Sequence, residues 1–196
     1  MRFSGTLAAI DAANSADPRL APNGKPWEVD HAERVSDWIL RLNPHASELL
    51  QIAARGQHIE RWTSPRSSYP EGRAGYLRWR EDLKITHARR TGDIMAAAGY
   101  APNDVLRVAK LISKAALREG DPEGCLLEDA LCLVFLETQF KDLLSKTPED
   151  KMEGILKKTW QKMSPAGRAA AHTLAFSPEE QKALSKALSP SPTQTS

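Results

Sequence analysis

Helical periodicity runs through almost the whole chain and limits its fold more than any other feature. Apolar residues recur at three- and four-residue intervals, as in Val29, Val35, Trp38, Ile39 and Leu42. No stretch has the sustained alternation of apolar and polar residues that a half-buried strand requires. The sequence therefore predicts an all-α fold.

Turn-forming residues divide the chain into four predicted parts. A short helix and a Pro/Gly-rich connector occupy residues 1–27, and a helical core follows over residues 28–146. Three short amphipathic segments over residues 147–188 predict a C-terminal helical extension. The tail 189–196, SPSPTQTS, is predicted to be disordered because it has almost nothing to bury. At 196 residues, the chain can hold one domain with a full core and peripheral extensions.

Three helices of the predicted core have boundaries that the structure can test. The first of them runs through HASELLQIAARGQHIERW, residues 45–62. The second runs through PNDVLRVAKLISKAAL, residues 102–117. The most apolar helix runs from Cys125 to about Leu144.

The composition favours a cytoplasmic protein without nucleic-acid or membrane partners. Lys plus Arg (27) nearly balance Asp plus Glu (25), so no strong field attracts a polyanion or a membrane surface. Cys125 and Cys132 lie too far apart on one helix for a disulfide, which suits a reducing compartment. The N-terminus lacks a signal-peptide pattern, and the apolar runs are too short to span a bilayer. A homo-oligomer is compatible with this composition.

Two adjacent carboxylates, Glu128 and Asp129, interrupt the apolar stretch GCLLEDALCLVFLE. An unpaired buried carboxylate costs several kcal/mol, so such groups are paired, bound to metal or near solvent. Lys110 and Lys114 share one helical face and are candidates to neutralise these carboxylates. The same lysines are equally suited to hold a substrate phosphate, and both interpretations remain open.

Two histidines and Asp129 form a candidate metal site. If their helices pack together, His31, His58 and Asp129 converge in one cleft, where they suit a divalent transition metal that activates a water. The catalytic residues predicted with them are His58, Asp129 and a general base, either Glu128 or Glu60. In the alternative interpretation, His58 and Asp129 pair with each other or with an arginine and have no catalytic role.

The segment PRSSYPEGRAGYLRWR, residues 65–80, interleaves arginines with aromatic residues around a turn. Guanidinium groups bind phosphate bidentately, and aromatic rings offer a stacking face, so the segment resembles a clamp for an anionic ligand. Alternatively, the aromatic rings anchor a helix and the arginines are solvated. The predicted ligand-binding residues are Arg34, Arg55, Arg61, Trp62, Arg66, Tyr69, Tyr76, Trp79, Arg80, His87, Lys110 and Lys114.

Over residues 28–144, the order of elements resembles the HD superfamily of metal-dependent phosphohydrolases, an all-α fold. HAERV matches that family's first histidine through His31, and LEDALCLVFLE matches its late aspartate through Asp129. His87 and Lys114 fall near the places of further histidines. The chain departs from the family at Gln57-His58, which stands where the family has His-Asp.

The chain is more closely similar to an uncharacterised bacterial and fungal family. That family has a QHIxRW segment, then PRxxYPxGxxGYxxWR, a later histidine, a lysine pair and an ED-CLVFLE helix. The corresponding segments here are QHIERW, PRSSYPEGRAGYLRWR and EDALCLVFLE. This resemblance implies no substrate.

From these patterns and the HD resemblance we expect an HD-like hydrolase that acts on a small anionic, phosphorylated and nucleotide-like metabolite. In it, His31, His58 and Asp129 hold a divalent metal as cofactor or, without a metal, position a water directly. The alternative is a non-catalytic module that binds an anion or a partner on a degenerate HD scaffold. RNA binding is a third interpretation, which the stacking residues favour and the near-neutral charge opposes.

Overall fold

The computed structural model of the chain describes residues 2–189. Within this range, helices and turns form the whole fold, and there is no strand beyond an isolated bridge between Leu20 and Pro26. The predicted all-α class is confirmed. Apart from Ser189, the tail predicted to be disordered lies outside the described residues.

Eleven α-helices follow one another in the described range. They are α1 Arg2–Asn14, α2 Trp27–Leu42, α3 Glu48–Gly56, α4 Gly72–Ala97, α5 Pro102–Ile112, α6 Ala115–Arg118, α7 Pro122–Thr138, α8 Phe140–Lys146, α9 Glu149–Lys162, α10 Pro165–Ala171 and α11 Pro178–Leu188. The chain divides into two compact units between Leu127 and Glu128, inside α7. The predicted boundaries after residues 27 and 146 stay predictions.

Helix α3 is the centre of the first unit, because it contacts α1, α2, α4 and α5. The side chains of Leu50, Ile52 and Ala53 are fully buried among these helices. The helix begins at Ser47, whose hydroxyl accepts a hydrogen bond from the Leu50 N–H at 3.1 Å and so caps the first turn.

The prediction that the second core helix continues to Trp62 is wrong, because α3 ends at Gly56. A Cβ at Gly56 would collide with the Thr91 side chain of α4, so the glycine allows the two helices to cross closely. The next four residues form a turn, and Glu60 has a φ of 52°, which a right-handed helix cannot contain. The QHIERW segment therefore begins on this turn.

Two other predicted helices are also interrupted. The helix predicted over residues 102–117 breaks at Lys114, whose φ of 63° separates α5 from α6. The helix predicted from Cys125 to about Leu144 is two helices, because Gln139 leaves helical geometry with a φ of −120°. A residue at positive φ ends the hydrogen-bond ladder of a helix whatever the apolar periodicity around it.

The second unit packs α9 against α8 and α11. Its core contains Phe140, Met152 and Leu156, which are at most 1% exposed. The three amphipathic segments predicted after Thr147 are observed as helices. Ser177 and Glu180 form a reciprocal capping box at the start of the last helix.

Candidate functional site

Three histidine rings from three separate segments meet in the first unit. His31 lies on α2, His58 on the turn after α3, and His87 on α4. The rings of His31 and His58 stack with centroids 4.3 Å apart and planes 9° apart. The ring of His87 lies 5.9 Å from His58 at 45°. We call these three residues and Glu28 the histidine cluster.

The tautomer of His87 follows from its one hydrogen bond. Its Nδ1 lies 2.8 Å from the carbonyl oxygen of Ile59, and a carbonyl can only accept, so Nδ1 carries the proton. In the neutral ring, Nε2 then holds a lone pair. Within residues 2–189, the buried Nε2 atoms of His87 and His31 have no hydrogen-bond partner. Unpaired buried polar atoms are rare in folded proteins and mark candidate ligand sites.

Glu28 brings a buried carboxylate to the cluster and was not among the predicted site residues. It is 1% exposed, and its Oε1 accepts a hydrogen bond from Arg19 at 2.7 Å. Its Oε2 has no hydrogen-bond donor in the described range and lies 3.6 Å from His58 Nδ1. Glu28 precedes His31 by three residues on α2, and this i, i+3 spacing was the signal available in the sequence.

Arg19 and Asp17 hold this carboxylate in place. Arg19 donates two hydrogen bonds to Asp17, at 2.9 and 2.8 Å, as well as the one to Glu28. Asp17 also accepts from the backbone N–H of Glu28 at 3.2 Å. The connector before α2, predicted only as a linker, therefore supplies part of the site.

All three histidines are neutral at neutral pH. Burial is the main cause and lowers the pKa of His31 to about 3 and that of His87 to about 4, from an ordinary 6.5. Burial, followed by the positive charge of Arg61, lowers the pKa of His58 well below the same value. The cluster thus presents unprotonated imidazoles beside the carboxylate of Glu28.

Arg61 is a half-buried cation without a carboxylate partner. Its guanidinium lies 4.9 Å over the Trp79 ring and makes no hydrogen bond or ion pair with residues 2–189. Burial lowers its pKa; the nearby positive charges of Arg80 and Arg19 act in the same direction, and the charge of Glu28 opposes them. Arg80 donates to the Tyr76 hydroxyl at 3.0 Å and likewise has no carboxylate partner in the described range. Two cations that no carboxylate contacts directly in the described range, beside neutral imidazoles, are suited to attract an anion.

Glu60, one of the two predicted general bases, is bound by Arg90 and holds the turn. Both of its carboxylate oxygens accept hydrogen bonds from Arg90, at 2.6 and 2.9 Å, and these bonds lower its pKa. Its backbone N–H donates to Asn14 Oδ1 at 3.0 Å. These contacts fix the turn that presents His58.

Several predicted ligand-binding cations are engaged within the fold. Arg55 makes two hydrogen bonds to Asp11, and Arg34 one to Asp30 at 2.8 Å. Arg66 donates to backbone carbonyls of its own loop, and Lys110 lies 3.6 Å from Glu119. The charge of Lys114 contributes to the lowered pKa of His58. Trp62 and Tyr69 are half-buried on the loop between α3 and α4.

In the second unit, Asp129 contacts the start of α10, and Glu128 has a contact with the end of α9. Asp129 is 2% exposed and accepts hydrogen bonds from the Ser164 N–H at 2.8 Å and the Ser164 hydroxyl at 2.5 Å. Glu128 Oε1 lies 3.6 Å from Lys162 Nζ. Buried carboxylates bonded in this way stabilise helix packing without a metal. A metal site containing Asp129, His31 and His58 stays a prediction.

The donor types of the histidine cluster suit a transition metal, but their arrangement does not. Among residues 2–189, no three or more His, Cys, Asp or Glu side chains are gathered so that they could hold one ion. The stacked rings of His31 and His58 instead have the geometry of two neutral imidazoles in van der Waals contact.

Comparisons with known proteins identify a family and nothing closer. None of the helices in the described range is long and apolar enough to cross a membrane. No curated protein and no solved structure matches the chain. A family model described as a domain of unknown function, DUF4202, matches residues 4–184. Because this match spans most of the 196 residues, the chain belongs to the DUF4202 family.

Proposed function

We propose that the chain is a hydrolase for a small phosphorylated metabolite, with the histidine cluster as its reaction centre. The observation that supports this most strongly is the pairing of unprotonated, partly unbonded imidazoles with two cations that lack carboxylate partners. Each feature alone destabilises the ligand-free fold. A bound phosphate offsets the cations, and a bound water can donate a hydrogen bond to an unbonded imidazole nitrogen.

Arg61 and Arg80 bind the phosphate in this proposal. Guanidinium groups match phosphate oxygens bidentately, and partial burial of Arg61 strengthens that interaction. The guanidinium of Arg61 lies over the ring of Trp79, and this cation–π contact orients it.

Glu28 and His58 activate the water. His58 removes a proton, the water oxygen bonds to phosphorus, the P–O ester bond breaks, and His58 returns the proton to the leaving oxygen. Glu28, held by Arg19, stabilises the transient imidazolium across the 3.6 Å gap. A bound phosphate also offsets the charges of Arg61 and Arg80, which lower the pKa of His58, so the ligand itself makes His58 a better base.

The HD resemblance suggests a divalent metal, and His31, His58 and His87 are suitable donors by type. Because they are not gathered around one point, no step of this mechanism depends on a metal. The same resemblance supports phosphoester hydrolysis and a small anionic partner. We keep the cytoplasm as the expected location.

The second candidate function is binding of the phosphorylated ligand without turnover. The departure at Gln57-His58 favours it, because this dipeptide replaces the His-Asp pair of the HD superfamily. Both candidates require Arg61, and only hydrolysis requires His58 as a base.

The test compares binding and turnover in matched variants. Inorganic phosphate is titrated calorimetrically into the wild type, Arg61→Met and Arg73→Met. The last variant loses an exposed arginine that has no ion pair with residues 2–189. We expect binding that Arg61→Met abolishes and Arg73→Met retains. Absence of binding by the wild type would overturn the proposed site.

Turnover then separates the two candidates. Phosphate release from a panel of phosphomonoesters is measured for the wild type and His58→Gln, with and without added Mn²⁺. Release that falls by about 100-fold or more in His58→Gln supports hydrolysis. Binding without release from any ester supports the non-catalytic module. Elemental analysis of protein purified without chelator decides whether a metal accompanies either result.

A further inference from the structure

A surface groove on α4 includes Arg80 of the proposed phosphate site, and its other lining residues have no part in the proposed reaction. It has a volume of about 580 Å³ and is lined by Tyr76, Leu77, Arg78, Arg80, Glu81 and Lys84, from the first turns of α4. Tyr76 is 42% and Leu77 is 53% exposed, although both are large and apolar in part. We propose that this groove binds the non-phosphate part of the ligand and that this part is a planar aromatic group. The inference rests on the proposed function, because it extends the same site.

Arg80 connects the groove with the histidine cluster. Its guanidinium lines the groove, donates to the Tyr76 hydroxyl at 3.0 Å and lies 5.9 Å from the centre of that ring. Arg80 directly follows Trp79, whose ring lies 4.9 Å below the guanidinium of Arg61, and its charge lowers the pKa of both His58 and Arg61. A phosphate bound by Arg80 therefore leaves the attached group beside Tyr76.

Three neighbouring π-systems, with the rings of Tyr76 and Trp79 inclined at 48°, favour a planar ligand. The ring of Tyr76 lies 5.9 Å from that of Trp79, and the guanidinium of Arg61 lies 4.9 Å from the ring of Trp79. Trp79 is fixed because its Nε1 donates to the Ser64 carbonyl at 2.9 Å. Aromatic and guanidinium planes attract a further aromatic ring more strongly than a saturated ring of the same size.

The ionic groups along the groove pair with one another, and Tyr76 stays 42% exposed beside them. Glu81 accepts a hydrogen bond from Lys84 at 2.7 Å, and Arg78 lies 3.9 Å from Asp82. These pairs neutralise each other along the helix, so Arg80 is the lining cation without a carboxylate partner among the described residues. The groove thus combines one available cation with one exposed aromatic ring.

The experiment isolates the shape of the ligand from its charge. Phenyl phosphate and cyclohexyl phosphate carry the same phosphate on rings of similar size, and only the first ring is planar and aromatic. Each is titrated calorimetrically into the full chain, with inorganic phosphate as reference. We expect phenyl phosphate to bind about two- to tenfold more tightly than cyclohexyl phosphate.

Two substitutions at one position test the role of Tyr76. Tyr76→Phe keeps the ring and should keep the preference, whereas Tyr76→Leu should remove the difference between the two esters. Ile85→Ala, on the same helix and 61% exposed outside the groove, should change neither affinity. Equal binding of the two esters by the wild type, or a preference that survives Tyr76→Leu, overturns the inference.

The outcomes also separate this inference from the proposed function. Binding of inorganic phosphate without preference for the aromatic ester overturns only the aromatic subsite. Absence of binding for all three compounds overturns both. Tighter binding of a single-stranded RNA than of any small ester overturns the inference in favour of a nucleic-acid surface, with the salt dependence of binding as a check.

Discussion

Glu28 Oε2 and His58 Nδ1 lie 3.6 Å apart although 29 residues separate them in the chain. The carboxylate comes from the first turn of α2 and the imidazole from the turn after α3. Neither position belongs to a local motif that joins an acid and a histidine. The pair exists because α2 packs against α3 and because α3 stops at Gly56.

Replacing Glu28 by Gln should separate binding from catalysis. The change removes a negative charge near the proposed phosphate site, so the affinity for inorganic phosphate should stay equal or increase. Turnover should fall by about 100-fold or more, because the imidazolium of His58 loses its carboxylate. The control is Glu33→Gln. Glu33 lies on the same helix as Glu28 and forms a surface ion pair with Lys25, so this change should affect neither affinity nor turnover. Weaker phosphate binding in Glu28→Gln would contradict the assignment.

Replacing Arg61 by Met should not destabilise the ligand-free chain. The substitution removes a partly buried cation that lacks an ion pair, and it loses a cation–π contact of about 0.5–1 kcal/mol. The free energy of unfolding should therefore stay within about 1 kcal/mol of the wild type. Arg55→Met, which breaks two hydrogen bonds to Asp11, should lower it by about 1–3 kcal/mol. Urea unfolding measures both, and a loss in Arg61→Met as large as that in Arg55→Met would indicate a structural role.

Stability should fall on acidification because of the buried histidines. His31 and His87 have pKa values of about 3 and about 4 in the folded chain, against 6.5 ordinarily, so protonation favours unfolding. Their contribution to stability is complete above about pH 6.5. It is lost as the pH falls to about 4 for His87 and to about 3 for His31. Each linked histidine contributes a slope of up to about 1.4 kcal/mol per pH unit in this window.

Urea unfolding at about pH 7 and pH 5 measures this slope. His87→Gln should flatten it by removing one buried imidazole, and His45→Gln, at an exposed histidine, should leave it unchanged. The same slope in the wild type and His87→Gln would show that His87 is not protonated on unfolding in this range.

Replacing Ser164 by Ala should destabilise the second unit more than an ordinary capping mutation. The hydroxyl accepts from the Gly167 N–H, which caps α10, and donates to buried Asp129. Losing both should lower the free energy of unfolding by about 2 kcal/mol or more. Ser177→Ala, which removes the cap of α11 alone, should cost about 1 kcal/mol. Equal losses in the two variants would mean that the bond to Asp129 contributes nothing to stability.

The sequence by itself determined the fold class and most helices, because apolar periodicity depends on neighbours three and four residues away. It also predicted that His31 and His58 converge with Asp129 and that His87 binds a ligand. The structure brings the three histidine rings together, and their roles stay predictions. The prediction of a buried, costly carboxylate was sound for Asp129, which is 2% exposed. Its observed donor is Ser164, which lies 35 residues later and has no signature in the sequence.

Only the tertiary structure decided which charges are available for a ligand. Nothing in the sequence distinguishes Arg55, Arg61 and Arg66. In the structure, Arg55 binds Asp11 and Arg66 binds backbone carbonyls, whereas Arg61 has no carboxylate partner in the described range. The end of α3 also could not be predicted from the sequence, since Gly56 is required by its contact with Thr91 on another helix. Such features depend on contacts between segments distant in the chain, and local periodicity carries no information about them.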